Sequence, residues 1–424
     1  MQLLIIDINH GALDLAKEYV DLDYNISVWD IYGKLEKNRD FLNNLKNTNY
    51  PIEKINIISS KEKPNLKKYD KIIAPIHCPI DYDFVSFHDA VSELIKEKYG
   101  NIHKKFIEIT GVKGKTTTTE LIRYILKDNY NIFLNNSNKG SITPVSVLNH
   151  INNLNETDNL DTYDLFIFEV SLGITKCKYG AITNVLENYS IGGCRRDALT
   201  AKLSTLKNAD NKYINKSILD KCNDFIKYSS SLHNLTIINL KNVKVMSKYP
   251  LKYKYNNKTI EFGKYVFGTH YIEDSLFALD ICKNFVDYDY IIDKMKTFKI
   301  KNRMNIEKIN NKYLIENINP GLDVKSIDYA INDFIDVFDS GVILIGGDFG
   351  CTCEEIDVKK LLNVIEKYRC NKYKNKNIKF MFAGILGKEL KKHIDCPHIA
   401  NTNIKSKYNE NVLIIYRKSI NYKL

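Results

Sequence analysis

The segment Thr110-Gly-Val-Lys-Gly-Lys-Thr-Thr117 combines residue types and spacing that suit phosphate chemistry. Glycines at 111 and 114 allow a tight backbone turn whose N–H groups aim at phosphate oxygens. A helix starting at about Lys115 adds the partial positive charge of its N-terminus. Lys115 would then reach the β- and γ-phosphates, and the Thr116 hydroxyl would bind magnesium. The full Walker pattern needs a glycine five residues before Gly114, and that position is Ile109. The segment is therefore the shorter Gly-x-x-Gly-Lys-Thr-Thr form, and its context carries the argument. Residues 106–109 read as a buried strand. Residues 116 to about 127 read as a helix with Leu121, Ile122, Ile125 and Leu126 on one face.

Other candidates are more scattered. Residues 165–168 are apolar at every position, as a strand covered on both faces should be, and end at Glu169. A lone acid there fits a ligand site at the carboxyl edge of a parallel sheet. His10, His77 and His88 lie near predicted strand ends in the first hundred residues. Singly, each reads as a surface or turn histidine; together they suggest a binding cleft. Arg195 and Arg196 form a basic pair, suited to peripheral carboxylates or equally to an exposed loop. Cys351 and Cys353 have no second pair at zinc-ligand spacing, so the nine cysteines are expected to be reduced and not metal ligands.

Strands at 3–6, 26–29 and 71–74, with helices at 12–20 and 89–98, predict a small parallel α/β unit. Residues 100–105 read as a linker. The second unit holds the phosphate loop, strands at 106–109, 165–168 and near 181, β-like runs between 232 and 267, and a helix at 275–285. A third α/β unit starts near 301, with strands at 313–315, 342–345, 380–382 and 412–416 and a helix at 358–368. Asn/Lys-rich loops fall at 43–49, 371–377 and 401–411. The 424 residues thus predict three α/β domains, 1–102, 103–300 and 301–424.

A hydrophobic content of 44% and a charged content of 27% exclude a mainly disordered or fibrous chain. No apolar run approaches the roughly 18 residues of a membrane span. The start, MQLLIIDINH, reads as a strand, not a signal peptide, so a cytoplasmic protein is expected. Lysine plus arginine number 62 against 51 acidic residues, a net charge of +11 that favours anionic ligands without choosing among them. No nucleic-acid motif or extended basic stripe is present, so neither a nucleic-acid nor a membrane partner is expected.

The loop 110–117 resembles the nucleotide loop of the Mur ligase family. The resemblance implies three domains, Rossmann-like at both ends with a central ATPase domain. It also implies that ATP converts a substrate carboxylate into an acyl phosphate, which a nucleophile then displaces. On this resemblance Thr110, Gly111, Val112, Lys113, Gly114, Lys115, Thr116 and Thr117 bind ATP, and Glu169 binds magnesium with Thr116. Ile182-Thr-Asn184 resembles the family's Thr-Asn strand, which assigns Asn184 to the nucleotide. The family's following Asp-His pair is replaced by Glu187-Asn-Tyr189, so its magnesium-binding histidine is absent. Thr200-Ala-Lys-Leu203 resembles the segment whose lysine is often carbamylated, which makes Lys202 a catalytic and metal-binding candidate beside Lys115 and Glu169. Gly268-Thr-His270 resembles the Gly-x-His-Asn-x-x-Asn box, with Tyr271 and Asp274 in place of the asparagines. Arg303 and Glu316 match the family's junction arginine and the acid that follows it.

The departures, together with the histidines of the first domain and Cys194-Arg-Arg196, resemble the archaeal coenzyme F(430) synthase branch of the family. That branch closes the last carbocycle of a nickel tetrapyrrole. The resemblance implies a polycarboxylate substrate held by His10, His77, His88, Arg195 and Arg196. No second substrate is needed, since the carbon nucleophile lies in the same molecule. A carboxylate–amine ligase is the rival within the class, and a nucleotide-gated binding protein the rival outside it.

Overall fold

The computed structural model describes residues 1–37, 52–185, 188–221, 233–351, 355–369, 376–400 and 409–418. Glu187, Cys353 and the loop stretches 43–49, 371–375 and 401–408 lie outside the described residues. The chain divides into two compact units, Met1–Thr119 with Lys127–Ile238, and Glu120–Leu126 with Asn239–Leu424.

The first unit holds two parallel sheets. In the first, β1 (Gln2–Ile6), β2 (Asn25–Trp29), β3 (Ile55–Ile58), β4 (Lys71–Ala74) and β5 (Val85–Ser86) lie in the order β3-β2-β1-β4-β5. Strand β1 is central because both its faces are apolar. Leu3 and Ile5 pack into one core cluster, while Leu4 and Ile6 pack into another on the opposite face. Helix Ala12–Val20 covers the first face with Leu13, Leu15 and Ala16. Helix Phe87–Tyr99 starts at Ser86, whose Oγ accepts the Asp89 N–H at 3.1 Å.

The second sheet comprises β6 (Phe106–Thr110), β7 (Ile132–Asn135), β8 (Leu165–Glu169), β9 (Cys177–Ile182), β12 (Ala209–Asn215) and β13 (Leu235–Ile238). Their order is β13-β12-β9-β6-β8-β7, all parallel. A two-stranded ribbon joins β10 (Ser190–Ile191) to β11 (Arg196–Asp197). Strands β6 and β8 are buried at every residue, so helices must cover both faces. One is Pro144–Glu156, which begins at proline behind a Thr143 cap and packs Val145, Leu148 and Ile151 into one core with Phe106, Phe166 and Phe168. The expected linker at 100–105 closes as a short 3-10 turn, Ile102–Lys105.

The second unit contains an antiparallel meander of β14 (Val243–Lys248), β15 (Leu251–Tyr255) and β16 (Lys258–Glu261). Its larger sheet runs β17-β18-β22-β19-β20-β21, formed by β17 (Arg303–Ile309), β18 (Lys312–Ile318), β19 (Ser340–Gly347), β20 (Asn377–Ala383), β21 (His398–Ile399) and β22 (Val412–Arg417). Only β17 runs antiparallel to its neighbour in this sheet. The β-like run at 265–267 is not a strand: Val266 makes one isolated bridge to Asn305. The helix expected at 275–285 begins earlier, at Tyr271, and ends at Cys282, because Tyr271 and Ile272 are buried core residues. No helix among the described residues is long and apolar enough to cross a membrane. The architecture is α/β, with Rossmann-like sheets at both ends of the chain and the phosphate-loop sheet between them in sequence.

Candidate nucleotide-binding and catalytic site

Strand β6 delivers the glycine loop to the carboxyl edge of the second sheet. Gly111 has φ +142° and Gly114 φ +84°, so both turns need backbone that side chains oppose. A Cβ on Gly111 would lie 2.0 Å from Thr183 Oγ1. The loop is tied down from β9: Val112 N–H donates to the Asn184 carbonyl at 2.7 Å and Lys113 N–H to Asn184 Oδ1 at 3.2 Å. Thr183 Oγ1 donates to the Lys113 carbonyl at 2.6 Å. Asn184 therefore shapes the loop.

Glu169, 2% exposed, sits at the end of β8, directly across the ladder from Ile109. Thr116 Oγ1 donates to its Oε2 at 2.8 Å, Ser137 N–H donates to the same oxygen at 3.0 Å, and Lys115 Nζ lies 3.7 Å from Oε1. The Ser137 hydroxyl is 2.8 Å from Thr116 Oγ1. Lysine, threonine and glutamate thus converge as expected, and Ser137 joins them. Sequence reasoning missed Ser137; the signal was the polar run Asn135–Gly140 behind a short apolar strand. The carboxylate and two hydroxyls are hard oxygen donors, a set that suits magnesium. The Thr110 and Thr118 hydroxyls are buried without a partner at this edge. Beside a helix N-terminus and a lysine, these donors fit a magnesium-bound nucleotide. Thr117 is also buried, in the first turn of the helix.

Adjacent on β6, Glu108 is fully buried and faces the other side of the strand. Its carboxylate accepts the Thr175 N–H at 2.6 Å and the Thr175 hydroxyl. Burial outweighs these bonds and raises its pKa to about 7.

Lys202, 1% exposed, lies on helix Ala198–Thr205, with its ammonium 6.0 Å from the Tyr189 ring centre. Its charge bears on buried His88. His88 Nε2 donates to the Ser171 carbonyl at 2.9 Å, two residues beyond Glu169, and its Nδ1 has no partner. Burial lowers the His88 pKa to about 4, so the ring is neutral at pH 7.

His10 and His77 meet edge to face, with ring centres 4.8 Å apart. Asp7, which sequence reasoning passed over, joins them through Oδ2 to His10 Nδ1 at 2.8 Å. Burial holds His77 neutral, with a pKa of about 4. Arg195 is exposed on the loop after Gly192. The Arg196 guanidinium stacks over Phe84 at 4.9 Å and donates to the Ile76 carbonyl at 3.2 Å, so it braces the His77 loop.

In the second unit, Gly268 has φ +110° before Thr269 and the exposed His270. Buried Asp333 accepts the Thr269 N–H at 2.7 Å and Thr269 hydroxyl at 2.9 Å, and pairs with Lys248 at 3.1 Å. Asp333 was also missed, although an acid between Ile331 and Phe334 on a core-facing helix was its signal. The Arg303 carbonyl accepts the Tyr271 hydroxyl, and Glu316 accepts the Asn305 side-chain amide at 3.3 Å. Tyr271, at the place where the resembled box has an asparagine, is therefore a packing residue.

Residues 306–419 match the family described as coenzyme F430 synthetase CfbE, C-terminal domain. A coenzyme F(430) synthetase from Methanocaldococcus jannaschii is 52% identical over 421 residues, covering 99% of each chain. The Methanosarcina acetivorans coenzyme F(430) synthetase is 28% identical over 49% of this chain and 48% of its own. Among solved structures, MurF from Acinetobacter baumannii superposes with a TM-score of 0.53 at 13% identity, covering 82% of both chains. MurC from Thermotoga maritima covers 100% of this chain and 96% of its own, with a TM-score of 0.50 at 14% identity. Those two structures establish the fold, and identity along nearly its whole length establishes that the chain belongs to the coenzyme F(430) synthetase family of Mur-like, ATP-dependent ligases.

Proposed function

We propose that this chain closes the final carbocycle of a nickel tetrapyrrole, using ATP to activate a propionate of the seco-acid precursor. The observation that carries the reading is the 52% identity, end to end, with the M. jannaschii coenzyme F(430) synthetase. The carboxylate becomes an acyl phosphate, and a carbon nucleophile of the same macrocycle displaces phosphate to give a ring ketone. An intramolecular nucleophile is already at high effective concentration, so no incoming amine is required.

Lys115 supplies a cation for the transferred phosphoryl group, and the loop N–H groups orient its oxygens. Thr116 and Glu169, with Ser137 behind them, would hold magnesium. Bound there, the ion would neutralise phosphate charge. Lys115 and Glu169 restrain each other before nucleotide enters, which keeps the ammonium at the loop. Lys202 is the proposed carbamylated ligand, by resemblance, and it is buried on its helix. His270, Arg303 and Glu316 stay assigned to the nucleotide by resemblance.

The macrocycle's carboxylates are assigned to the edge bearing His10, His77 and Arg195, with His88 and Arg196 placing those loops. The proposed domains remain 1–102, 103–300 and 301–424. A cytoplasmic location belongs to the same reading, since ATP is the phosphoryl donor and the described cysteines are free. The test mixes protein, ATP, magnesium and the nickel seco-acid. Optical conversion to the ring-ketone coenzyme without added amine is expected. ATP hydrolysis that instead requires an amino acid would assign an amide ligase.

A further inference from the structure

We propose that Asp7, His10 and His77 form a binding site for one free divalent transition-metal ion, separate from the magnesium set at the phosphate loop. One ligand atom from each residue lies within 4.8 Å of the other two, the only such metal-ligating group among the described residues. The donors come from two loops. Asp7 and His10 follow β1, and His77 follows β4. These strands are neighbours, with Ile5 paired to Ile73. The chain runs outward from β1 through β2 to β3, then returns to place β4 on the other side of β1. The two loops therefore part at the switch point of the sheet, where open α/β sheets leave a crevice at the carboxyl ends.

Two further observations favour a cation. Asp7 is 0% exposed, and among the described residues its carboxylate is hydrogen-bonded by the Asn9 N–H at 2.9 Å and by His10 Nδ1 at 2.8 Å. No lysine or arginine among the described residues forms an ion pair with it. A buried carboxylate calls for compensating charge, which a divalent ion supplies. The loop also holds unusual backbone: Asp7 has φ +81°, His10 +58° and Gly11 +90°. Left-handed geometry at two non-glycine residues is opposed by their side chains. It is fixed in place by Gly11, where a Cβ would meet Val145 at 2.6 Å.

The donor chemistry selects the ion. Two imidazoles and one carboxylate suit zinc, cobalt or nickel, whereas magnesium and calcium favour oxygen donors throughout. The arrangement also discriminates between two sources of such a metal. Three donors holding one ion would take three of its coordination positions. A nickel ion inside a macrocycle offers one axial position on each face, so the triad matches a free ion. Its remaining positions stay open to water or to a carboxylate, as in sites with three protein ligands.

The test uses the full chain, stripped with chelator and titrated with cobalt(II) without nucleotide or magnesium. Saturable one-to-one binding is expected, with the visible absorption of low-coordinate cobalt(II), displacement by zinc and a zinc-dependent rise in Tm. His77→Gln and Asp7→Asn should each weaken binding at least about 100-fold, at or above the roughly 10–100-fold cost of losing an outer-shell partner. Circular dichroism checks their folding, and His10→Gln, at the more exposed member, provides a variant less exposed to that failure. Glu169→Gln should bind cobalt like the parent. Absence of one-to-one binding, or equal affinity in parent and all three triad variants, overturns the proposal. So does a nickel macrocycle whose spectrum responds to the parent but not to His77→Gln, if free cobalt leaves the parent unchanged. None of these readouts depends on turnover, so the site can fail while the proposed ring closure stands.

Discussion

Two carboxyl edges in the first unit present their functional groups in opposite ways. At the edge of the second sheet, the glycine loop and the first helical turn supply Lys115 and Thr116 from one contiguous stretch, and only Glu169 and Ser137 arrive from elsewhere. At the edge of the first sheet, Asp7, His10 and His77 come from two loops separated by about as many residues as a small domain contains. The nucleotide role proposed for the first edge would rest largely on backbone N–H groups and a helix terminus; the metal site proposed at the second would use only side chains. A backbone site leaves a mark in the sequence because it needs glycines. A side-chain site leaves only isolated residues.

The sharpest test of this contrast is chemical. Lys115→Ala and Glu169→Ala should each lower ATP-dependent turnover by about 10²–10⁴-fold with the fold intact, as expected for loss of charge at a transferring phosphoryl group. Phosphate-release assays with circular dichroism read both. Near-parent turnover in either folded variant breaks the assignment of that edge.

The next test compares glycines. Gly111→Ala places a Cβ 2.0 Å from Thr183 Oγ1 at φ +142°, and should cost about 2–4 kcal/mol in urea unfolding along with nucleotide affinity. Gly11→Ala, 2.6 Å from Val145, should cost about 1–3 kcal/mol and leave nucleotide affinity alone. Nucleotide titration separates the two, and an equal loss of affinity in both breaks the comparison.

A smaller effect concerns the buried glutamate on β6. Glu108 has a folded pKa near 7, above the ordinary carboxylate value. The folded state therefore binds its proton more tightly, and stability contributed by this group falls as pH rises from about 4.5 to 7. Neutral His77 and His88, with folded pKa values near 4, act oppositely: the unfolded chain takes up their protons first, so stability rises with pH from about 4 to 6.5. Glu108→Gln should remove the descending part, a change of about 1–3 kcal/mol between pH 5 and 8. Urea midpoints across that range measure it, and an unchanged difference curve contradicts it.

The smallest expected effect is at a helix start. Ser86→Ala removes the cap on helix Phe87–Tyr99, which carries His88, and should cost about 1 kcal/mol in thermal or urea unfolding. A loss above about 3 kcal/mol would mean that Ser86 also holds the site edge.

The sequence by itself determined the parallel α/β class and the phosphate loop. Strands such as Phe106–Thr110 and Leu165–Glu169 are apolar throughout, and a covered parallel strand requires that composition. Glycines at 111 and 114 mark where the backbone must turn beside a helix start. These are local demands, written in consecutive residues. The family resemblance, carried by motifs in order along the chain, named Lys202 as well, and the structure buries that lysine. Tertiary structure alone decided that Ser137 backs Thr116 and Glu169, that Asp333 holds the Gly268–His270 turn, and that Asp7 joins His10 and His77. It also decided that Arg196 braces a loop against Phe84 and Ile76. Each of these depends on strand order or helix packing. Strand order depends on which apolar faces pair across the sheet, and that is a property of the whole core, not of any segment's own pattern.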